Sequence, residues 1–380
     1  MHYSNKVGEN MEWKNIICEK ECTGCMACKN ICPKNAITME ENDEGFKYPK
    51  IDLDICVKCG LCKKVCPINH KLDENKNEIK AYCCKNKDDK VRMKSSSGGI
   101  FTLIAESILE QNGVVFGARF DESFNVIHDY IEKKEDLYFF RGSKYVQSNI
   151  GNTYQKVREF LNIGRKVLFT GTPCQIEGLL TFLQKDYDNL YTQDIICHGV
   201  PSPKVWKRYL KYKEELNTKQ LRNVEFRKKD ILGWSNFQMS YQYEETEENV
   251  HHDDDPYMKL FLRNVILRKS CYQCQFKKIK RKSDITLADF WGINEIKPEI
   301  NDDKGVSAIL INSKKGNELF RAIINKIEFC EVKIEDIAKH NSPICQSVYY
   351  NENREEFFKE LNSGENFQKL VEKFLENDKI

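Results

Sequence analysis

The sequence contains no apolar run near the ~20 residues needed to cross a bilayer, and its first fifteen residues, MHYSNKVGENMEWKN, lack the apolar core of a secretion signal. It also lacks charge of one sign. Lys and Arg number 60 against 58 Asp and Glu, a formal net charge of +2, so neither nucleic acid nor an anionic membrane is an expected partner. Local basic runs such as Lys277–Lys282 are offset by acidic ones such as Asp253–Asp255, and both read as solvated surface. These absences point to the cytoplasm, a compartment that keeps thiols reduced. The chain is nevertheless rich in cysteine, with 17 in 380 residues. With disulfides disfavoured, metal or redox chemistry is the default explanation. A hydrophobic content of 40% and a charged content of 31% fit a folded chain, and the length allows two or three domains.

Eight of the cysteines form an internal repeat. Cys22, Cys25, Cys28 and Cys32 precede Pro33, and Cys56, Cys59, Cys62 and Cys66 precede Pro67, each residue recurring 34 positions on. Each half reads C-x2-C-x2-C-x3-C-P. Three thiolates two residues apart on a tight loop can wrap three irons of one cubane, while the fourth sits past the loop and points to the other cluster. The expected ligand sets therefore cross over: Cys22, Cys25, Cys28 and Cys66 in one, Cys56, Cys59, Cys62 and Cys32 in the other. Gly24 and Gly60 are expected to relieve crowding in the loops, and Phe46–Ile51 reads as a strand linking the halves. Paired zinc sites fit poorly, because zinc ribbons separate two C-x2-C pairs by a longer spacer. The segment Cys18–Asn69 resembles two-cluster 4Fe–4S ferredoxins, which implies two such clusters and one-electron transfer.

A polar linker, Leu72–Lys80, separates this domain from the rest. Beyond it, Lys80–Cys84 reads as a strand leading to Ser95–Gly99. A helix with apolar positions at Ile100, Leu103, Ile104 and Ile108 follows. Free N–H groups at such a helix start suit a phosphate or pyrophosphate, or simply an ordinary cap. Val114–Phe120 and Val126–Ile131 read as paired strands, Asn149–Leu161 as an amphipathic helix, and Val167–Gly171 as a strand before a helix from Gln175. Leu190–Cys197 is a further strand, followed by a helix from Pro203. This alternation suggests an α/β layer. Asn223–Lys229 and Phe237–Glu245 read as a β-ribbon and Tyr257–Leu267 as a helix. Ser307–Asn312 and Glu328–Lys333 read as strands around a helix Lys315–Asn325, and the last thirty residues as a helical appendage.

Of the nine remaining cysteines, Cys18, Cys83, Cys84, Cys330 and Cys345 read as small buried hydrophobes. Cys174 and Cys197 stand at the carboxyl ends of expected strands, where α/β sheets gather ligands, and Cys271 and Cys274 form a C-x2-C pair. Two strand-end thiols and one pair could close a tetrahedral sulfur site, which zinc and an iron–sulfur cluster both accept. The two clusters upstream tilt the choice toward a third cluster.

The segments SSSGGIFT, GSKYVQS, TGTPCQIEGL, ICHGVPSP, CYQC and SDITLADFWG, in that order, resemble the coenzyme F420-reducing hydrogenase/dehydrogenase beta-subunit family, to which 7-hydroxymethyl chlorophyll a reductase is related. The resemblance covers about Ile79–Lys339. It implies a FAD close to a third 4Fe–4S cluster held by Cys174, Cys197, Cys271 and Cys274. The flavin contacts would come from Ser96, Ser97, Gly98 and Gly99, from Lys144, Tyr145, Gln147 and Ser148, and from Thr170 and Thr172. Lys144 would stabilise an anionic reduced ring. His198 reads as a histidine packed beside the cluster, and Asp289 and Trp291 either shape the flavin pocket or end a strand.

The expected fold is a mixed α+β and α/β chain. It comprises a ferredoxin domain at 14–70, two parts of a flavin- and cluster-binding α/β core at 78–165 and 166–345, and a helical tail at 346–380. The expected function is that of an iron–sulfur flavoprotein oxidoreductase. It exchanges electrons with a redox partner protein (a ferredoxin or a dehydrogenase or hydrogenase subunit) and with a small-molecule substrate. The alternatives are an electron-relay subunit with no substrate of its own, and a zinc-stapled binding protein.

Overall fold

The structure, a computed structural model, describes residues 16–73 and 76–376. The N-terminal segment assessed for a secretion signal, the expected domain start at 14, linker residues 74–75 and the tail end 377–380 lie outside them. The repeat folds as two cysteine loops, each running into a short helix, Ala27–Ile31 and Leu61–Lys64. Between them lies an antiparallel hairpin of β1 (Ile37–Glu41) and β2 (Lys47–Ile51), with Ile37 opposite Ile51. Both loops use the left-handed region twice at matching positions: Gly24 (φ 70°) and Met26 (φ 63°) in the first, Lys58 (φ 55°) and Gly60 (φ 76°) in the second.

The rest is built on an eight-stranded sheet. Its strands are β3 (Lys80–Asn86), β4 (Val114–Phe120), β5 (Val126–Ile131), β6 (Val167–Gly171), β7 (Leu190–Ile195), β11 (Ile285–Asp289), β12 (Ser307–Ile311) and β13 (Ile327–Val332), in the spatial order β13-β3-β12-β11-β7-β6-β4-β5. The central four, β11-β7-β6-β4, run parallel; the flanking pairs are antiparallel. Strand alternation splits the apolar residues between two faces. Val115, Leu168 and Tyr191 pack with the helices Ile100–Leu109 and Lys314–Ile323. Val114, Phe116, Val167 and Phe169 pack with Thr153–Asn162 and Pro173–Leu183. The latter helix starts two residues before the expected Gln175: Thr172 and Gln175 make a capping box, and Pro173 occupies the first turn, where no N–H is needed.

A smaller antiparallel sheet, β8 (Asn223–Lys228), β9 (Gln238–Gln242) and β10 (Glu247–His251), packs with helices Pro203–Asn217 and Pro256–Leu262 and with the tail helix Arg354–Asn362 around Trp206, Tyr209, Tyr241 and Tyr257. Three expectations change here. The ribbon has a third strand, β10. The helix expected over Tyr257–Leu267 is only Pro256–Leu262, because Asn264 turns left-handed (φ 62°) just past its end. Cys83 and Cys84 are buried as expected, but Cys18 and Cys345 are exposed. No helix among the described residues is long and apolar enough to cross a membrane.

The first cysteine loop is docked on the core. Arg268, 1% exposed, donates from Nε to Cys22 O (2.7 Å), from one terminal nitrogen to Gln147 Oε1 (2.9 Å) and from the other to Lys47 O (3.0 Å), with its guanidinium carbon 4.1 Å from the Tyr48 ring centre. Asn30 donates to Gly151 O and Gln155 to Asn30 O. From the tail, Arg354 makes a buried bidentate pair with Glu44 of the β1–β2 turn.

Candidate functional site

Two thiol sets form within the repeat, and they cross over. Burial pushes the Cys25 thiol up to about 12, and the neighbouring Cys66 and Cys22 add to the shift. Cys28 is raised by burial and then by Cys25, Cys22 and Cys66. Cys62 is raised by burial, with Cys56 and Cys59 beside it, and Cys32 joins these three around one small cavity. Backbone N–H groups donate to sulfur, Ala36 to Cys32 at 3.3 Å and Lys58 to Cys56 at 3.4 Å. Thiols packed this closely repel one another once ionised, so each set suits a positively charged metal centre.

The third quartet gathers at the carboxyl edge of the parallel strands. Cys174 is the second residue of the helix after β6. Cys197 lies two residues past β7, whose strand ends at Ile195 and not at Cys197 as expected. Cys271 and Cys274 sit in and just after the short 3-10 turn Lys269–Gln273. The four line one small cavity. Burial, then Cys274, Cys197 and Cys271, raises the Cys174 thiol; Cys197 is pushed up to about 12 and Cys271 to about 11, again chiefly by burial. Thr172 Oγ1 lies 3.1 Å from Cys174 Sγ, and the Val200 N–H donates to Cys271 Sγ at 3.4 Å. Such a donor set fits a tetrahedral metal or a cubane. The docked loop lies alongside. Cys25 lies against Gly178 of the helix that carries Cys174, with its Sγ 3.0 Å from where a side chain at Gly178 would begin, and Thr23 lines the same cavity as the quartet.

Next to the quartet is a much larger cavity of about 780 Å³, within the range of roughly 300–1,000 Å³ typical of cofactor and ligand sites. Ser96, Ser97, Gly99, Lys144, Tyr145, Ser148, Thr170 and Thr172 line it. The two loops that carry most of them are tied together, because Ser96 Oγ accepts from the Ser143 N–H at 2.7 Å. Gly98 and Gln147 do not line it. Gly98 is pinned against the sheet, its N–H donating to Ser307 Oγ, and a side chain there would meet Cys84 O at 2.6 Å. Gln147 turns the other way and donates to Thr23 O.

Lys144 donates to Arg141 O and Gly142 O, both at 3.1 Å, and burial alone pushes it down to about 7. An anion beside it would restore its charge. Asp289 is not merely a strand end: it binds Arg227 bidentately at 3.0 and 3.1 Å and accepts from Trp234 Nε1 at 2.8 Å. Trp291 stacks on Trp234, ring centres 4.8 Å apart. His198 bonds Asn264 Oδ1 at 2.7 Å and packs edge-on against Phe261.

Several lining residues carried no sequence signal. His128 is buried and pushed down to about 4, hence neutral; it joins Ser148 Oγ (2.9 Å) to Thr170 O (3.0 Å), while Gln175 donates to Ser148. Among the described residues, the buried Gln193 Oε1 and Arg227 Nε, on residues that line this cavity, find no hydrogen-bond partner. Such atoms are costly unless a ligand or water meets them.

Residues 164–337 match the family model for the C terminus of the coenzyme F420 hydrogenase/dehydrogenase beta subunit. Residues 21–70 match the 4Fe-4S dicluster domain, so the repeat holds two 4Fe–4S clusters. The chain is an iron–sulfur electron-transfer protein, and its 164–337 segment is similar to the C terminus of F420 hydrogenase/dehydrogenase beta subunits. A solved structure from Methanosarcina barkeri, the xenon-derivatised F420-reducing NiFe hydrogenase complex, contains a similar chain at 17% identity. The match covers 74% of this chain and 91% of that one, with a TM-score of 0.48. No curated protein matches the chain.

Proposed function

We propose that this protein is an iron–sulfur flavoprotein oxidoreductase with a third 4Fe–4S cluster and a FAD in addition to its two ferredoxin clusters. The observation that carries the reading is a shared wall: Thr172, Cys197, Gly199 and Val200 line both the quartet's cavity and the large one. A redox centre on one side is therefore in contact range of a ligand on the other. Clusters supply one-electron transfer, and a flavin supplies the exchange between one- and two-electron chemistry.

The chain's own residues fit these roles. Cys22, Cys25, Cys28 and Cys66 hold the inner ferredoxin cluster, Cys32, Cys56, Cys59 and Cys62 the outer one, and Cys174, Cys197, Cys271 and Cys274 the third. Ser96, Ser97 and Gly99 offer hydroxyls and N–H groups at a helix start to the flavin's diphosphate. Lys144 supplies positive charge. The Gln175–Ser148–His128 chain holds a neutral imidazole, so no proton is stored there at neutral pH. Gln193 Oε1 and Arg227 Nε supply an unmet acceptor and an unmet donor. The Asp289 carboxylate fixes the Arg227 plane, and Trp291, stacked on Trp234, lines the cavity. A redox partner protein and a small-molecule substrate complete the reading.

Replacing Cys174 with Ser tests it. The expected variant loses about four irons per chain and its third paramagnetic signal, while both ferredoxin signals persist. Unchanged iron and unchanged spectra would remove the third cluster and the argument built on its shared wall.

A further inference from the structure

The two loops of the repeat carry one ligand spacing but differ in what surrounds them. The first is covered by Arg268, Gln147 and the helix Pro173–Leu183. The second is open. Cys59 is exposed, and the residues on either side of Cys56 are apolar yet solvent-facing: Ile55 is 48% and Val57 57% exposed. The counterpart of Val57 in the docked loop, Thr23, is half-buried and hydrogen-bonded through its carbonyl to Gln147. A side chain at Gly60 would meet nothing within 4 Å among the described residues. Around this apolar tip stand Lys34, Lys58 and Lys64, all exposed, with Lys63 half-buried beside them; the acidic groups of the same loop are Asp52 and Asp54. Lys34 and Lys58 line the cavity of the outer thiol set itself.

We infer that this tip is the docking surface for a small acidic one-electron carrier protein of the ferredoxin type. The inference rests on the two-cluster domain and not on the flavin. An apolar contact of small area with a charged rim is the composition of weak, fast electron-transfer encounters. Lysines outnumber carboxylates at the tip, and steering by opposite charge raises encounter rates where affinity stays low. The docked loop has Cys22, Cys25 and Cys28 buried against the core, so the exposed loop is where a carrier can approach. Each encounter moves one electron and no proton. A reduced carrier is oxidised by one electron as the outer cluster is reduced by one, and a two-electron turnover takes two encounters.

The test uses the full-length, anaerobically prepared protein and a two-cluster bacterial ferredoxin of net negative charge as probe. Zero-length carbodiimide coupling of the two is expected to join ferredoxin carboxylates to Lys34, Lys58 or Lys64. A double variant, Lys34→Glu with Lys58→Asn, changes the local charge by three, and Asn tolerates the left-handed backbone at 58. It is expected to lose the cross-link and to slow reduction by the ferredoxin about tenfold at low salt. Iron content and reduction by dithionite are measured alongside: a ferredoxin rate that falls while the dithionite rate per iron does not marks a docking defect, and an equal fall in both would overturn the inference. Lys64→Glu, on the helix and away from the ligand loop, should show a smaller effect of the same sign. Cross-links that map elsewhere, or equal ferredoxin rates in variant and parent, would overturn the inference. A protein without flavin would sink the oxidoreductase reading and leave this result standing.

Discussion

The two cysteine loops were written with the same ligand spacing and take up the same pair of left-handed backbone positions, yet their non-cysteine residues are distributed differently between those positions. In the docked loop glycine comes first (Gly24) and Met26 second; in the open loop Lys58 comes first and Gly60 second. The ligand geometry asks for a positive φ at both, which non-glycine residues bear at a cost of roughly 1–2 kcal/mol. Glycine at 24 answers a further demand: a side chain there would stand 2.9 Å from both the Arg268 guanidinium and the Gln147 amide. At Lys58 that neighbour is missing, and a long cation can stand in its place. Both glycines take the positive φ that the loop requires, and only the first is also crowded by the core. Gly24 makes room for the core, and Gly60 has open space around it.

This difference can be broken from the docked side first. Arg268→Ala leaves three acceptors without their donor and a void beside Tyr48, and is expected to lower unfolding stability by about 3 kcal/mol or more. No single substitution in the open loop outside its cysteines should approach that, and a denaturant titration compares them directly. Gly24→Ala should cost about 2 kcal/mol, from backbone strain and the displaced Arg268 and Gln147 side chains. Gly60→Ala should cost about 1 kcal/mol from strain alone. Equal losses at the two glycines would mean that docking does not set the first.

The repeat, the grouping of its thiols and most strands were legible in the sequence, because cysteine spacing and apolar alternation are local signals. The crossover was legible as well: Cys66 comes to Cys25 and Cys28, and Cys32 to Cys62. The third quartet was legible only through strand ends, since its members come from three separate segments. β10 was missed because EENVH has no apolar alternation; its place is fixed by pairing with β9. Gln147 was assigned to the ligand cavity by its neighbours in the motif. One residue's difference in direction sends it to Thr23, while Ser148 faces the cavity. Gln193 and Arg227 could not be found at all. A glutamine within an apolar strand and an arginine in a ribbon become informative only when their unpartnered atoms are seen beside one cavity.

The central claim is that three thiol quartets and one neighbouring cavity form a continuous set of redox sites. Protein prepared without oxygen, assayed for iron, sulfide, zinc and flavin per chain, tests it most directly. The account predicts about twelve irons with matching sulfide, no zinc and one FAD. Eight irons with one zinc and no flavin would contradict it, leaving a two-cluster ferredoxin fused to a zinc-bound domain.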